Sequence, residues 1–350
     1  MYNRVRLYLS ACFYYSGLVS LVRWWTQRSM PRLIILYYHQ ASTGDLRSHW
    51  LYLRRYYRIL HLEAALEELR MSQKKGVQRR DRRSLLALTF DDGYYDNYTH
   101  AFSLACELQI PITIFLIPGY MENGNSFWWA TRLIRLAQVD QVTFEDHTYD
   151  LDDQEERKAL AQVIDARFSH YTSSIERQKF LASLYKILEV PSSVVVKEEP
   201  APLLTWTQVR EMQESGWVSF GAHTVHHPDL AGLAGPAEVQ REVGECRTML
   251  EQRLGYPIRM FAYPFGSIGD HGLHAVKQAG YDWAVTTRPS VNTCQSDPHQ
   301  LRRRKMDFPK HWLVVAAETA GIWGLFSYLK GSVRHLIRKS LLDGRASRPW

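Results

Sequence analysis

Apolar positions along the chain fall into two rhythms. Short, nearly continuous apolar runs occur at 33–38 (LIILYY), 58–62, 85–90 (LLALTF), 112–117 (ITIFLI), 217–222 (WVSFGA), 259–263 (RMFAY) and 282–287 (DWAVTT). Between them lie stretches with helical spacing, at 50–57, 63–71, 97–109, 206–215, 236–254 and 270–279. Strand runs without a polar face suit a parallel sheet covered by crossover helices. The 236–254 helix opens at Gly235-Pro236 and stops at Gly255, a proline-first, glycine-last arrangement. About seven strands with intervening helices predict an α/β fold that closes naturally as a barrel.

Residues 121–202 break the alternation. They open with MENGNSFWWATRLIRLA, contain VTFEDHTYDLDD and end in KEEPAP, with helical segments near 154–168 and 175–189. This is too long for a connection and reads as a mostly helical insertion. Phe127, Trp128 and Trp129 are its anchor or a sugar-stacking surface, the anchor being favoured. The expected organisation is an apolar and basic segment at 1–30, a barrel at 31–310 carrying the insertion 121–202, and a basic amphipathic helical segment at 311–350.

Charge sharpens this picture. The net charge is +7, but residues 1–44 carry five arginines and no acid, and residues 301–350 carry eleven Lys/Arg against Asp307, Glu318 and Asp343, which leaves −6 for the body. Nucleic-acid binding requires a basic face on the folded body, so that partner is excluded. Cys12, Cys106, Cys246 and Cys294 form no CxxC pair, and neither a disulfide framework nor a cysteine metal knot is expected. Leu7–Val22 is sixteen residues without a charge, short of the ~20 needed for a span. Arg6, Ser10, Gly17 and Ser20 fall roughly on one helical face, opposite Leu, Phe and Tyr. No small-x-small cleavage site follows, so an interfacial helix with Trp and Arg at headgroup level is favoured. The apolar stretch Trp312–Tyr328, interrupted by Glu318 and followed by Lys330, Arg334, Arg338 and Lys339, suits the same surface. An anionic membrane surface is thus an expected partner, on the cytoplasmic face, with an uncleaved N-terminal anchor and outward-facing domain as the alternative. Two core-packing helices are the plainer reading of the same stretches.

Three motifs carry chemistry. TFDDG places Asp91 and Asp92 at a strand end, where barrel chemistry sits. Adjacent carboxylates either share a cation or form an Asx-turn or cap leading into the next helix. GAHTVHHPDL, again after a strand run, sets His223 and His227 four apart, with Pro228 turning His227 out of helical geometry. Two histidines and one carboxylate are a common facial ligand set. FAYPFG follows a third strand: the Phe265 amide can face a developing oxyanion, and Tyr263, Pro264 and Phe265 can line a sugar site.

TFDDG, HTxxHP and a Pro-Phe-Gly loop, in that order, resemble the polysaccharide deacetylases of the NodB-homology family (carbohydrate esterase family four) over roughly residues 33–305, outside the insertion. The resemblance implies a distorted (β/α) barrel of about seven strands and metal-dependent removal of acetyl groups from N-acetylated sugars. It implies Asp91 as catalytic base and Asp92, His223 and His227 as ligands of a divalent ion, Zn2+ first, Co2+ or Mn2+ as alternatives. YYHQ is similar to the start of the poly-N-acetylglucosamine deacetylase branch, which makes His39 a candidate general acid. The chain departs from the pattern in three places. Ala262 stands where an arginine usually orients the base, the Asp282-Trp283 pair precedes its strand, and no Leu-x-x-His follows near the last strand. Arg303, in QLRRRKMD, can replace the missing arginine, with Arg302 and Arg304 facing the other way on a strand; a solvated basic patch is the alternative. The insertion separates Asp92 from His223 far more than the family's short form does. The expected function is N-deacetylation of an acetylated sugar polymer or lipid-linked saccharide in envelope or exopolysaccharide assembly. The rivals are an O-acetyl esterase or non-sugar amidase using the same site, or a catalytically weak, membrane-associated glycan-binding barrel.

Overall fold

The computed structural model describes residues 2–42, 45–72, 81–122, 126–127, 130–170, 174–190, 201–233, 235–306 and 310–323. Eight strands make the central sheet: β1 (Leu33–Tyr38), β2 (Arg58–Ile59), β3 (Leu85–Phe90), β4 (Ile112–Leu116), β5 (Val218–Ala222), β6 (Met260–Ala262), β7 (Trp283–Val285) and β8 (Arg304–Lys305). All pairings are parallel, in the order β7-β6-β5-β4-β3-β1-β8, and β2 joins the lower half of β3 through Leu85 and Leu86. Leu301 bridges Val285 of β7, and Arg304 and Lys305 then pair with Leu36 and Tyr37 of β1. The short segment 301–305 therefore touches both ends of the sheet and curls it into a distorted barrel.

Period-two alternation sorts the strands' side chains between two cores. Leu33, Ile35, Leu85 and Ala87 share one cluster with Phe115, Ala262, Val285 and Leu301, which also holds Leu62, Ala65, Leu66 and Leu69 of the helix Leu62–Met71. Ile34, Leu36, Leu86, Leu88 and Phe90 face the larger cluster shared with the outer helices. The run at 58–62 yields only two strand residues because His61 caps the helix starting at Leu62.

The insertion holds the helices Gln154–His170 and Ser174–Ile187. It also holds an antiparallel hairpin, Gln141–Phe144 with His147–Asp150, inside the stretch VTFEDHTYDLDD. Trp128, Trp129 and residues 191–200 lie outside the described residues. At the N-terminus, helices Tyr2–Tyr15 and Leu18–Ser29 meet at a break where Gly17 has φ 80°. They pack on the helix Trp312–Ala320: Arg6 pairs with Glu318 at 2.7 Å, and the Tyr14 ring meets Trp312 edge-on at 5.0 Å. Among the described residues no single helix is long and apolar enough to cross a membrane, though Arg4–Tyr15 with Leu18–Arg28, bent by 72°, qualifies as a pair by length and composition. Lys330, Arg334, Arg338 and Lys339 lie outside the described residues.

Candidate active site

Continuing the inner-face alternation of β3 past Ala87 and Thr89 leads to Asp91. Its carboxylate is 2% exposed and meets a fully buried Arg303 in a fork, Nη1 to Oδ1 at 2.7 Å and Nη2 to Oδ2 at 2.8 Å. Arg303 also donates from Nε to the Thr286 carbonyl (3.0 Å) and from Nη1 to Thr89 Oγ1 (3.2 Å). Its guanidinium lies over the Tyr37 ring at 4.5 Å, with Phe115 at 5.6 Å. Gly221 makes room for that floor, because a Cβ there would stand 2.6 Å from the Phe115 ring. Arg303 is thus a buried partner of Asp91 and belongs to no solvated patch.

Asp92 follows with φ 72°, a left-handed turn that redirects the chain. It is fully buried, and neither carboxylate oxygen has a hydrogen-bond donor among the described residues. His223 Nε2 and His227 Nε2 each lie 3.5 Å from Oδ1. Beyond β5, the His223 ring donates from Nδ1 to the Ala262 carbonyl at 2.7 Å, which leaves a bare lone pair on Nε2. Thr224 Oγ1 accepts from the His227 amide at 2.9 Å and so closes the turn between the two imidazoles. Among the described residues seven non-glycine positions have positive φ, and four of them, Asp92, Thr224, His227 and Phe265, lie at this cluster. Strain of about 1–3 kcal/mol per residue, concentrated here, marks a site over-determined by its surroundings.

Burial alone would raise the Asp92 carboxyl, but the imidazoles of His223, His227 and His39 outweigh it and hold the group well below the usual carboxylate range. Burial, reinforced by His223 and His39 against the pull of Asp92 and Asp91, lowers His227 to about 3. An ionised Asp92 carboxylate therefore faces the neutral His227 ring and Nε2 of a His223 ring whose Nδ1 proton is given to the Ala262 carbonyl. A cation between them removes the conflict, and Asp92, His223 and His227 are the one such cluster among the described residues, with ligand atoms within 4.8 Å of one another. The residues present fit a divalent ion.

His39 lies just beyond β1, half-buried, its ring edge-on to Tyr37 at 5.6 Å and within electrostatic reach of Asp92 and His227. Phe265, at φ 56°, is 49% exposed, and its ring meets His227 edge-on at 4.9 Å. Tyr263 and Pro264 do not line the cleft. Tyr263 is fully buried, packs on Phe261 and donates its hydroxyl to the His299 carbonyl, and Pro264 is buried beside it.

Several positioning groups carry no motif. Asn97, fully buried, donates to the His39 carbonyl at 2.9 Å. The Asp96 carboxylate accepts from the Ala41 and Ser42 amides, and so fixes the loop after His39. Glu242, on the helix Pro236–Leu254, accepts from the His226 amide at 2.8 Å and pairs with His226 Nδ1 at 2.8 Å, and its own carbonyl accepts from the Val225 amide. It ties down the loop joining the two cluster histidines. Its position was legible: a lone carboxylate on an apolar stripe with Val239, Val243 and Cys246.

A family model described as polysaccharide deacetylase matches residues 78–179 and 164–284, more than half of the chain. The chain belongs to the polysaccharide deacetylase family. As a member it is a deacetylase, and the family implies an acetylated saccharide as substrate. The proposed polysaccharide deacetylase YxkH of Bacillus subtilis (strain 168) is 22% identical over 290 residues, spanning 80% of this chain and 73% of YxkH. IcaB from Ammonifex degensii matches with a TM-score of 0.54 and 19% identity over 83% of this chain and 97% of its own. The deacetylase PplD of Streptococcus pyogenes, solved in complex with acetate, matches with a TM-score of 0.50 and 18% identity over 79% and 93%. These structural likenesses show that this deacetylase shares their fold.

Proposed function

We propose that this deacetylase is metal-dependent and hydrolyses the acetamide of an N-acetylated sugar polymer or lipid-linked saccharide, in envelope or exopolysaccharide assembly at an anionic membrane surface. The observation that carries the reading is the donorless Asp92 carboxylate between two imidazoles, beside an Asp91 held by Arg303. Asp92, His223 and His227 would hold the ion, and a set of two nitrogens and one oxygen suits Zn2+. Bound there, the ion supplies Lewis-acid polarisation of the acetyl carbonyl and a lowered pKa for water.

The chain's own residues do the rest. Asp91 accepts the proton of the attacking water; each of its oxygens keeps a second lone pair beyond the bond from Arg303. The fork stops the carboxylate from rotating away. The Phe265 amide donates to the oxyanion that forms on the acetyl oxygen, and its exposed ring offers a face to the sugar. His39 protonates the leaving nitrogen, which departs poorly as an amide anion. Arg303 takes the orienting role that Ala262 cannot, which weakens the reading of a catalytically idle barrel.

The test is acetate release from acetylated chito-oligosaccharides by wild type and by Asp91→Asn. Wild type should release acetate, and the variant should lose about 10²-fold or more in kcat. Metal-loaded wild type that releases no acetate from that substrate, while cleaving O-acetyl esters or non-sugar amides, would replace this reading with the corresponding rival.

A further inference from the structure

Helices in contact with water turn polar residues outward and apolar residues in. The N-terminal pair does the reverse with Arg6, Ser10 and Arg23. Arg6 pairs with Glu318, Ser10 is fully buried, and buried Arg23 donates to Tyr52 Oη at 2.7 Å. The outward side carries Tyr8, Leu9 and Tyr15 on the first helix and Leu21, Trp24 and Trp25 on the second, each set at helical spacing along one face. Tyr8 is 71% exposed and Trp25 60%. Of thirteen exposed large apolar side chains among the described residues, eight lie within the first thirty positions. An apolar patch so concentrated marks an interaction surface.

Charge selects the occupant. Residues 1–44 hold five arginines and no acid, and Arg4 and Arg28 stand exposed on the same outward faces. The chain beyond Trp323, which packs edge-on against Phe13 of the first helix, carries six Lys/Arg against Asp343 alone. A second copy docking face to face would bring like charges together, since a two-fold interface repeats the same patch. An anionic bilayer meets the arginines with phosphates and the tryptophan and tyrosine rings with its interfacial zone. We infer that the outward faces of helices Tyr2–Tyr15 and Leu18–Ser29 dock this protein onto an anionic membrane surface, lying in the interface and not crossing it. The 72° bend at Gly17 and the inward ties of Arg6 and Arg23 keep both helices fastened to the barrel's outer shell. This surface also accounts for two neighbouring tryptophans, Trp24 and Trp25, that are each more than half exposed.

The experiment uses the full chain and vesicles of phosphatidylcholine with phosphatidylglycerol, beside phosphatidylcholine alone. Wild type should sediment with the anionic vesicles, lose that binding as salt rises, and be released by alkaline carbonate. The triple variant Leu21→Ser, Trp24→Ser, Trp25→Ser should bind at least about tenfold more weakly, with its thermal unfolding midpoint unchanged. That comparison needs no deacetylase activity, so its failure is separable from failure of the catalytic reading. The inference is overturned if wild type ignores anionic vesicles, if the variant binds as wild type does, or if carbonate leaves the protein in the membrane. It is equally overturned if wild type ignores vesicles but forms a dimer that the variant abolishes.

Discussion

Replacing Arg303 by methionine removes a guanidinium that makes four hydrogen bonds in a fully buried place, two to Asp91 at 2.7 and 2.8 Å, one to the Thr286 carbonyl and one to Thr89 Oγ1. Methionine fills much of the volume between Tyr37 and Phe115, so packing loss is the smaller part of the change. The larger part is Asp91, 2% exposed, left without its counter-charge. Breaking a buried pair by removing one partner costs about 3–5 kcal/mol. Urea unfolding of the metal-free protein, followed by tryptophan fluorescence, should show a loss of that size. Acetate release should fall about 10²-fold or more in kcat with KM little changed, because the group lost holds the base and not the sugar. Arg303→Lys keeps a charge but loses the planar fork, so it should recover part of the stability and little of the rate. Wild-type stability and turnover in Arg303→Met would refute the reasoning, whatever happened elsewhere in the site.

Two further outcomes follow from the same geometry. Glu242→Ala should leave the imidazoles of His223 and His227 in place but loosen their loop, weakening divalent-metal affinity about 10–100-fold in a chelator competition while the fold persists. In the metal-free protein the folded pKa of His227, about 3, lies below its ordinary value of 6.5, so the unfolded chain binds a proton that the folded chain refuses. Stability is therefore full above about pH 6.5 and should fall as pH drops toward 3, by about 1.4 kcal/mol per pH unit for one proton, a slope that His227→Gln should flatten in urea melts at stepped pH.

Much of this was legible in the sequence, for reasons that can be named. LIILYY and LLALTF read as strands because both faces of β1 and β3 are covered, which leaves no polar alternation. The Asp-Asp and His-His motifs stood out because each sits at a strand's C-terminal end. The absence of an arginine at Ala262 was visible too, and alternation singled out Arg303 from its neighbours, but only the closure of the barrel through 301–305 brings it to Asp91. Tyr263 shows the opposite failure. Met260 and Ala262 face the inner cluster, so Phe261 and Tyr263 must face the outer one, a consequence of the two-residue period that the reading of YPFG as a sugar platform overlooked. The hairpin at 141–150 had its own alternation, with Val142 and Phe144 buried and their neighbours exposed, hidden by polar turn residues. The N-terminal helices could not be oriented from sequence, because Glu318, the partner that turns Arg6 inward, lies at the far end of the chain.

The proposed chemistry requires a cation joining Asp92, His223 and His227, and metal content measures that directly. Purified wild type, His223→Ala and Asp92→Ala should be loaded with Zn2+, dialysed together and assayed by elemental mass spectrometry. About one tightly held ion per chain is expected in wild type, and close to none in either variant. Wild type without an ion, or both variants retaining one, would contradict the account.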